Sequence, residues 1–191
     1  MVAEENLQNK IEQWKAMPRN NGLELTLADK FFDEILMPLS LKKFVDGELA
    51  KRWDAYDGMV LTLGTSWQPL ALSISALHPQ QVLVLGTEDT EKYFWQLQSF
   101  LGSANGNIEW RQVDRARVDD IYKACLQWQR NNQGMIKVCA DITGGTKAMV
   151  SGLAMYAAKA NWDIFYVESK YLPLYRRPEP GSEMLVKLQV P

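Results

Sequence analysis

Only two cysteines and one histidine occur in 191 residues, and the 23 acidic side chains barely outnumber the 21 basic ones. Each scarcity excludes something. Cys125 falls in a helix-like stretch and Cys139 inside an apolar strand-like run, with no second pair to complete a zinc cluster, so both read as buried thiols of a reducing cytoplasm. A formal net charge of -2 provides no diffuse positive field for holding a long duplex. Any nucleic-acid partner is therefore expected to be small and held in a local site. No stretch approaches the roughly 18 apolar residues that span a bilayer. The start, MVAEENLQNK, is polar and acidic rather than a basic region leading into an apolar one. The expectation is a cytoplasmic protein with no membrane partner.

What is present is 47% apolar, enough for one sizeable core with an appendage. From about Leu7 to Ala55 the apolar residues recur at helical spacing: Leu25, Leu27, Phe31, Phe32, Ile35 and Leu36, then Leu39, Phe44 and Leu49 after Pro38. Residues 1–55 are read as an amphipathic helical extension. The character changes at Met59, where Met59 to Leu63 forms a short apolar run closed by Gly64. Similar runs follow at Val82 to Leu85, Ile108 to Val113, Ile136 to Ile142 and Ile164 to Val167. Between them lie helix-like segments at Pro69 to Leu77, Thr90 to Leu101, Val118 to Asn131 and Gly145 to Ala160. Strands that are apolar throughout, alternating with helices, predict an α/β fold: a Rossmann-like parallel sheet with helices on both faces, over residues 56–191. The stretch Tyr171 to Pro191 has four prolines and a last apolar run at Met184 to Val186, so it reads as a loop and one further strand.

In such a sheet ligands bind beyond the carboxyl ends of the strands. Two strand-to-helix turns stand there with a shared composition. They are Gly64-Thr65-Ser66-Trp67-Gln68-Pro69 after the first strand and Thr143-Gly144-Gly145-Thr146-Lys147 after the fourth. Glycine lets a bound group come close to the backbone, and the N–H groups and macrodipole of the following helix favour an anion. The hydroxyls add donors, and Lys147 adds a full charge. Either loop alone is also what an ordinary capped turn looks like. The two together, with a lysine at the second, favour anion binding.

The missing patterns narrow the anion. Lysine follows threonine at the second loop, with the wrong spacing for a phosphate-binding Walker loop. Gly-x-Gly-x-x-Gly is absent from the first turn, and Glu88 and Asp89 after the second strand would repel a pyrophosphate. His78 precedes Pro79 at a helix end, where a contact with the helix dipole is the plainer reading. Trp95, Trp110, Trp128 and Trp162 fall in or beside regular elements and read as packing residues, whereas Trp67 lies inside a ligand loop. Tyr171, Tyr175, Arg176 and Arg177 form a basic aromatic cluster that either covers a ligand or is a solvated turn.

The run Asp141-Ile142-Thr143-Gly144-Gly145-Thr146-Lys147-Ala148-Met149, with Leu63-Gly64-Thr65-Ser66-x-Gln68-Pro69-Leu70, resembles the two signature loops of the CARF (CRISPR-associated Rossmann fold) family. Pro178-Glu179-Pro180-Gly181-Ser182-Glu183 is similar to a segment of CARF domains in CRISPR-associated nucleases. The resemblance covers roughly Tyr56 to Pro191. It implies a homodimer whose paired loops embrace a cyclic oligoadenylate, with cyclic tetra-adenylate as the expected ring, in type III CRISPR antiviral defence. By position, Gly64, Thr65, Ser66, Trp67 and Gln68 and then Thr143, Gly144, Gly145, Thr146 and Lys147 would bind the ligand, without cofactor or metal. Asp141 is expected to organise its own loop.

Neither a nuclease acid cluster nor a zinc motif appears, so the chain reads as a stand-alone sensor or the sensory part of a longer protein whose effector is elsewhere. Three functional classes stand. One is a pure sensor. Another is a metal-independent ring nuclease, in which a ribose 2'-hydroxyl attacks the adjacent phosphate in line, with Thr65, Ser66 and Lys147 as candidate catalytic residues. The third is an ordinary Rossmann-like enzyme acting on a nucleotide or sugar phosphate.

Overall fold

A computed structural model of the chain describes residues 2–49, 51, 53–102 and 107–188. The remaining positions, including 189–191 of the final segment, lie outside the described residues. The chain divides into two compact units, Met1–Lys51 with Ser169–Met184, and Arg52–Glu168 with Leu185–Pro191. The sequence reading draws one boundary at residue 55 and keeps everything after it together. The structure instead groups 169–184 with the helices.

The helical unit starts with α1 (Val2–Lys15), α2 (Gly22–Phe31) and α3 (Met37–Leu49). Asn21 caps α2, its side chain accepting the N–H of Glu24 at 3.0 Å. A single π-helical turn, Phe32–Leu36, joins α2 to α3, with the N–H of Met37 reaching back to the carbonyl of Phe32. Pro38 follows and has no N–H to continue an α-helical ladder, which is where a wider turn costs least. The core here is Leu7, Ile11, Trp14, Ala28, Phe32 and Leu36, with the Trp14 indole N–H donating to the Ala28 carbonyl at 3.1 Å.

The second unit alternates strand and helix: β1 (Gly58–Thr62), α4 (Gln68–Leu77), β2 (Gln81–Gly86), α5 (Glu91–Leu101), β3 (Asn107–Gln112), α6 (Val118–Asn131), β4 (Val138–Asp141), α7 (Lys147–Lys159) and β5 (Asp163–Glu168). The chain then forms the short strands β6 (Tyr171–Leu172) and β7 (Arg177–Pro178), an antiparallel pair in the helical unit. It ends with β8 (Met184–Leu188) in the main sheet.

Strand order in the six-stranded sheet is β3-β2-β1-β4-β5-β8, and β3, β2, β1, β4 and β5 pair in parallel. Every residue of the central strands β1 and β4 is buried, which is why their sequences are apolar without alternation. One face packs Val60, Leu83, Leu85, Ala140 and Ile164 against Ile121 and Trp128 of α6 and Met149 and Leu153 of α7. The other face, with Met59, Leu61, Val82 and Val84, is equally buried. Right-handed crossovers require this two-sided arrangement, since β1 to β3 wind one way and β4 to β5 the other. The expected Rossmann-like parallel arrangement of strands and helices is the observed one.

Candidate anion site at the strand switch point

After β1 the chain runs outward to β2 and β3, then returns to place β4 on the other side of β1. The crevice beyond the carboxyl ends of β1 and β4 is therefore the point where the winding reverses, the preferred ligand position in an open parallel sheet. Gly64–Pro69 and Thr143–Lys147 both leave from this crevice, and their backbones touch. A Cβ on Gly64 would lie 2.9 Å from the nitrogen of Gly145, and one on Gly144 would lie 2.7 Å from the carbonyl oxygen of Thr62. Gly145 adds a positive φ of 101°. No other residue fits this crossing without displacing a strand end.

Hydrogen bonds hold the second loop from three sides. The Thr62 hydroxyl donates to the Gly144 carbonyl. Thr143 accepts the N–H of Val167 on its hydroxyl at 2.8 Å and gives its own N–H to Asp141 at 2.7 Å. Asp141 is fully buried. Burial pushes its carboxyl up, against the pull of Ser73 and Thr143. As expected from the sequence, it organises its loop from beneath. Thr146 caps α7, accepting the N–H of Met149 at 3.3 Å, and donates its hydroxyl to the Arg115 carbonyl at 2.6 Å. The threonine hydroxyls thus shape the loop.

The backbone donors are left over. Among the described residues, the N–H groups of Gly144, Gly145 and Thr146 find no acceptor. They precede a helix whose first turn has no acid. Lys147 is exposed and has no ion pair among the described residues. Two turns at this end differ: α6 has Asp119 and Asp120 in its first turn, and Glu88 and Asp89 follow β2. The starts of α7 and α4, neither with an acid in its first turn, are the ones that welcome an anion.

In the first loop Thr65 and Ser66 are exposed, and the Ser66 hydroxyl donates to Gln68 Oε1 at 2.8 Å. Gln68 itself is buried, so it orients Ser66 from below. Trp67 departs from the expectation of a ligand-facing ring. It is 4% exposed and packs on Phe100 at 4.8 Å between centroids. The turn into α4 drives its large apolar ring inward.

Other singled-out residues lie away from this crevice. His78 is the left-handed C-cap of α4, before β2 begins. Trp128 and Trp162 are core residues, and Trp110 packs on Phe94. In the helical unit, Tyr175 stacks on Trp14, while Arg177 pairs with Asp29 at 2.7 Å and covers Phe32. These two are engaged by α1 and α2 rather than standing in a free turn. Sequence reasoning missed Arg115, whose proximity to Thr146 has no sequence signal. A cavity of about 460 Å³ opens at the opposite end of the sheet. The Lys137–Asp54 and Lys187–Asp163 pairs line it, at the negative ends of α6 and α7, the wrong polarity for an anion.

No family model matches the chain. It is 31% identical over 139 residues to the CRISPR system endoribonuclease Csm6 of Thermus thermophilus, covering 69% of this chain and 29% of that protein. Among solved structures it is similar to Can2 from Sulfobacillus thermosulfidooxidans in complex with cyclic tetra-adenylate, with a TM-score of 0.52 at 20% identity over 58% of this chain and 31% of that one. It is also similar to Enterococcus italicus Csm6 bound to cyclic hexa-2'-fluoro-hexa-dAMP, with a TM-score of 0.52 at 13% identity over 72% and 43%. The chain spans under half the length of each of these proteins. No helix among the described residues is long and apolar enough to cross a membrane.

Proposed function

The chain is a CARF-domain protein, and from that premise we propose that it binds a cyclic oligoadenylate across a homodimer, as the cytoplasmic sensor of a type III CRISPR antiviral response. The observation that carries the reading is the crossing of two glycine loops at the β1–β4 switch point, with unpaired N–H groups and Lys147 beside it. Phosphodiesters of a small ring need this kind of short-range donor set and no long basic surface. A ring with internal two-fold symmetry suits an isologous dimer, each protomer contributing the same pair of loops.

Cyclic tetra-adenylate is the proposed ring, by analogy with the Can2 complex. The site residues of this reading are Gly64, Thr65 and Ser66, then Thr143, Gly144, Gly145, Thr146 and Lys147. Gln68 acts through Ser66.

Cleavage is a second outcome of the same site, favoured by the exposed hydroxyls of Thr65 and Ser66 on the loop that touches the one bearing Lys147. A ribose 2'-oxygen would attack its adjacent phosphorus as the P–O5' bond breaks. The proton leaves the 2'-hydroxyl and the 5'-oxygen takes one up, giving a 2',3'-cyclic phosphate and a 5'-hydroxyl. Lys147 and the loop N–H groups would stabilise the charge on the phosphorane oxygens.

One experiment tests both. The purified protein is incubated with cyclic tri-, tetra- and hexa-adenylate, melting shifts are recorded, and the products are separated by chromatography. The expected result is the largest shift with the tetra-adenylate ring and a dimer mass by light scattering. A strictly monomeric mass with and without ligand, or no shift with any ring, overturns the reading.

A further inference from the structure

The turn between β3 and α6 brings a second cation to the anion loop. Asp114 Oδ1 accepts the N–H of Ala116 at 2.9 Å, and the N–H of Arg117 donates to the Asp114 carbonyl at 3.3 Å. Residues 114–117 thus close as a β-turn with Arg115 at its second position. From that corner the Arg115 carbonyl accepts the Thr146 hydroxyl at 2.6 Å, the same hydroxyl that caps α7. The turn is thereby fastened to the loop bearing the unpaired N–H groups and Lys147.

The arginines of this region are not equivalent. Arg117 is held by Asp119 at 2.7 Å, and Arg111 donates to the Ala124 carbonyl at 3.2 Å and to Gln127 at 3.1 Å. Arg115 is exposed, and among the described residues its guanidinium makes no hydrogen bond or ion pair. A cation anchored by its backbone beside the positive end of α7 is repelled there unless an anion fills the crevice. Its tether confines where the side chain can reach, so less freedom is lost when the fork closes on a phosphate.

We propose that Arg115 is a further ligand-binding residue, engaging a phosphodiester of the ring that occupies the α7 start; this rests on the oligoadenylate reading of the site. Planar recognition of two phosphate oxygens is the chemistry that selects arginine over lysine at such a position.

The test is calorimetric titration of cyclic tetra-adenylate into wild type and the Arg115→Ala, Arg115→Lys and Arg117→Ala variants, at low and high salt, with melting curves for all four. The expected result is a loss of roughly two to four powers of ten in affinity for Arg115→Ala, since a two-fold dimer loses both copies, partial recovery with lysine, and a change within about two-fold for Arg117→Ala. Salt should weaken wild type more than Arg115→Ala, because one screened contact is already gone. Wild-type affinity in Arg115→Ala, or a loss with unaltered salt dependence and no recovery by lysine, overturns the assignment of Arg115 while leaving the site. Failure of the wild type to bind any ring overturns the oligoadenylate reading itself.

Discussion

The hydroxyl of Thr62, the last residue of β1, donates to the carbonyl of Gly144 in the loop that follows β4. Thr62 is fully buried, so the bond joins the two loops from below, out of water. Thr62→Val keeps the shape and removes the donor. The Gly144 carbonyl would then be left unpaired, which costs about 1–3 kcal/mol. Chemical denaturation is expected to show that loss, and titration with cyclic tetra-adenylate a weaker affinity, because the glycine crossing is no longer held in register. Unchanged stability and affinity would mean that glycine packing alone holds the loops.

Lys147→Ala is expected to cripple ligand binding without harming the fold. The side chain is exposed, stands on the first residue of α7, and has no carboxylate partner among the described residues. Removing a charge-assisted contact costs on the order of 1.5–3 kcal/mol per site. A two-fold dimer loses both copies, so affinity should fall by roughly two to four powers of ten. A melting curve within about 0.5 kcal/mol of wild type is expected alongside. Wild-type affinity in the folded variant removes Lys147 from the site.

Trp67 separates packing from recognition. Its ring is buried on Phe100, so Trp67→Ala should cost about 3–5 kcal/mol in a denaturation experiment. Trp67→Phe keeps an aromatic partner for Phe100 and should bind the ring within about two-fold of wild type. A large loss of affinity in a well-folded Trp67→Phe variant would instead put the indole on the ligand.

Asp163 accepts a hydrogen bond from the Tyr56 hydroxyl at 2.6 Å and pairs with Lys187 at 2.8 Å. Burial pushes its carboxyl up, but Lys187 and Tyr56 outweigh that and hold it below the usual range. The Tyr56 hydroxyl is pushed up by its own burial and by this bond. A carboxyl with a lowered folded pKa contributes stability above its unfolded value of about 3.9, and loses it as pH falls through the folded value. Asp163→Asn should therefore melt lower than wild type at pH 7, by roughly 2–4 °C if the pair contributes about 1 kcal/mol. The difference should shrink below about pH 4. Parallel melting curves across pH 3–7 check this, and a constant difference would show that the charge is irrelevant.

Much of this protein was determined by sequence alone, for local reasons. Strands buried on both faces must be apolar throughout, so Met59 to Leu63 and Val82 to Leu85 were legible as a parallel sheet. Glycine with hydroxyl residues ahead of a helix announced both loops, since a turn of that kind depends on neighbours in the chain. Tertiary structure decided what sequence distance hides. The inward turn of Trp67 onto Phe100, the use of Tyr175 and Arg177 by α1 and α2, and the grouping of 169–184 with the helical unit all rest on contacts between distant segments. So does the tether from Arg115 to Thr146, which a strand order of β3-β2-β1-β4 brings about by carrying α6 back over the sheet to pack beside α7. Local pattern specifies which elements form, whereas which loops meet is set by the order in which the sheet assembles them.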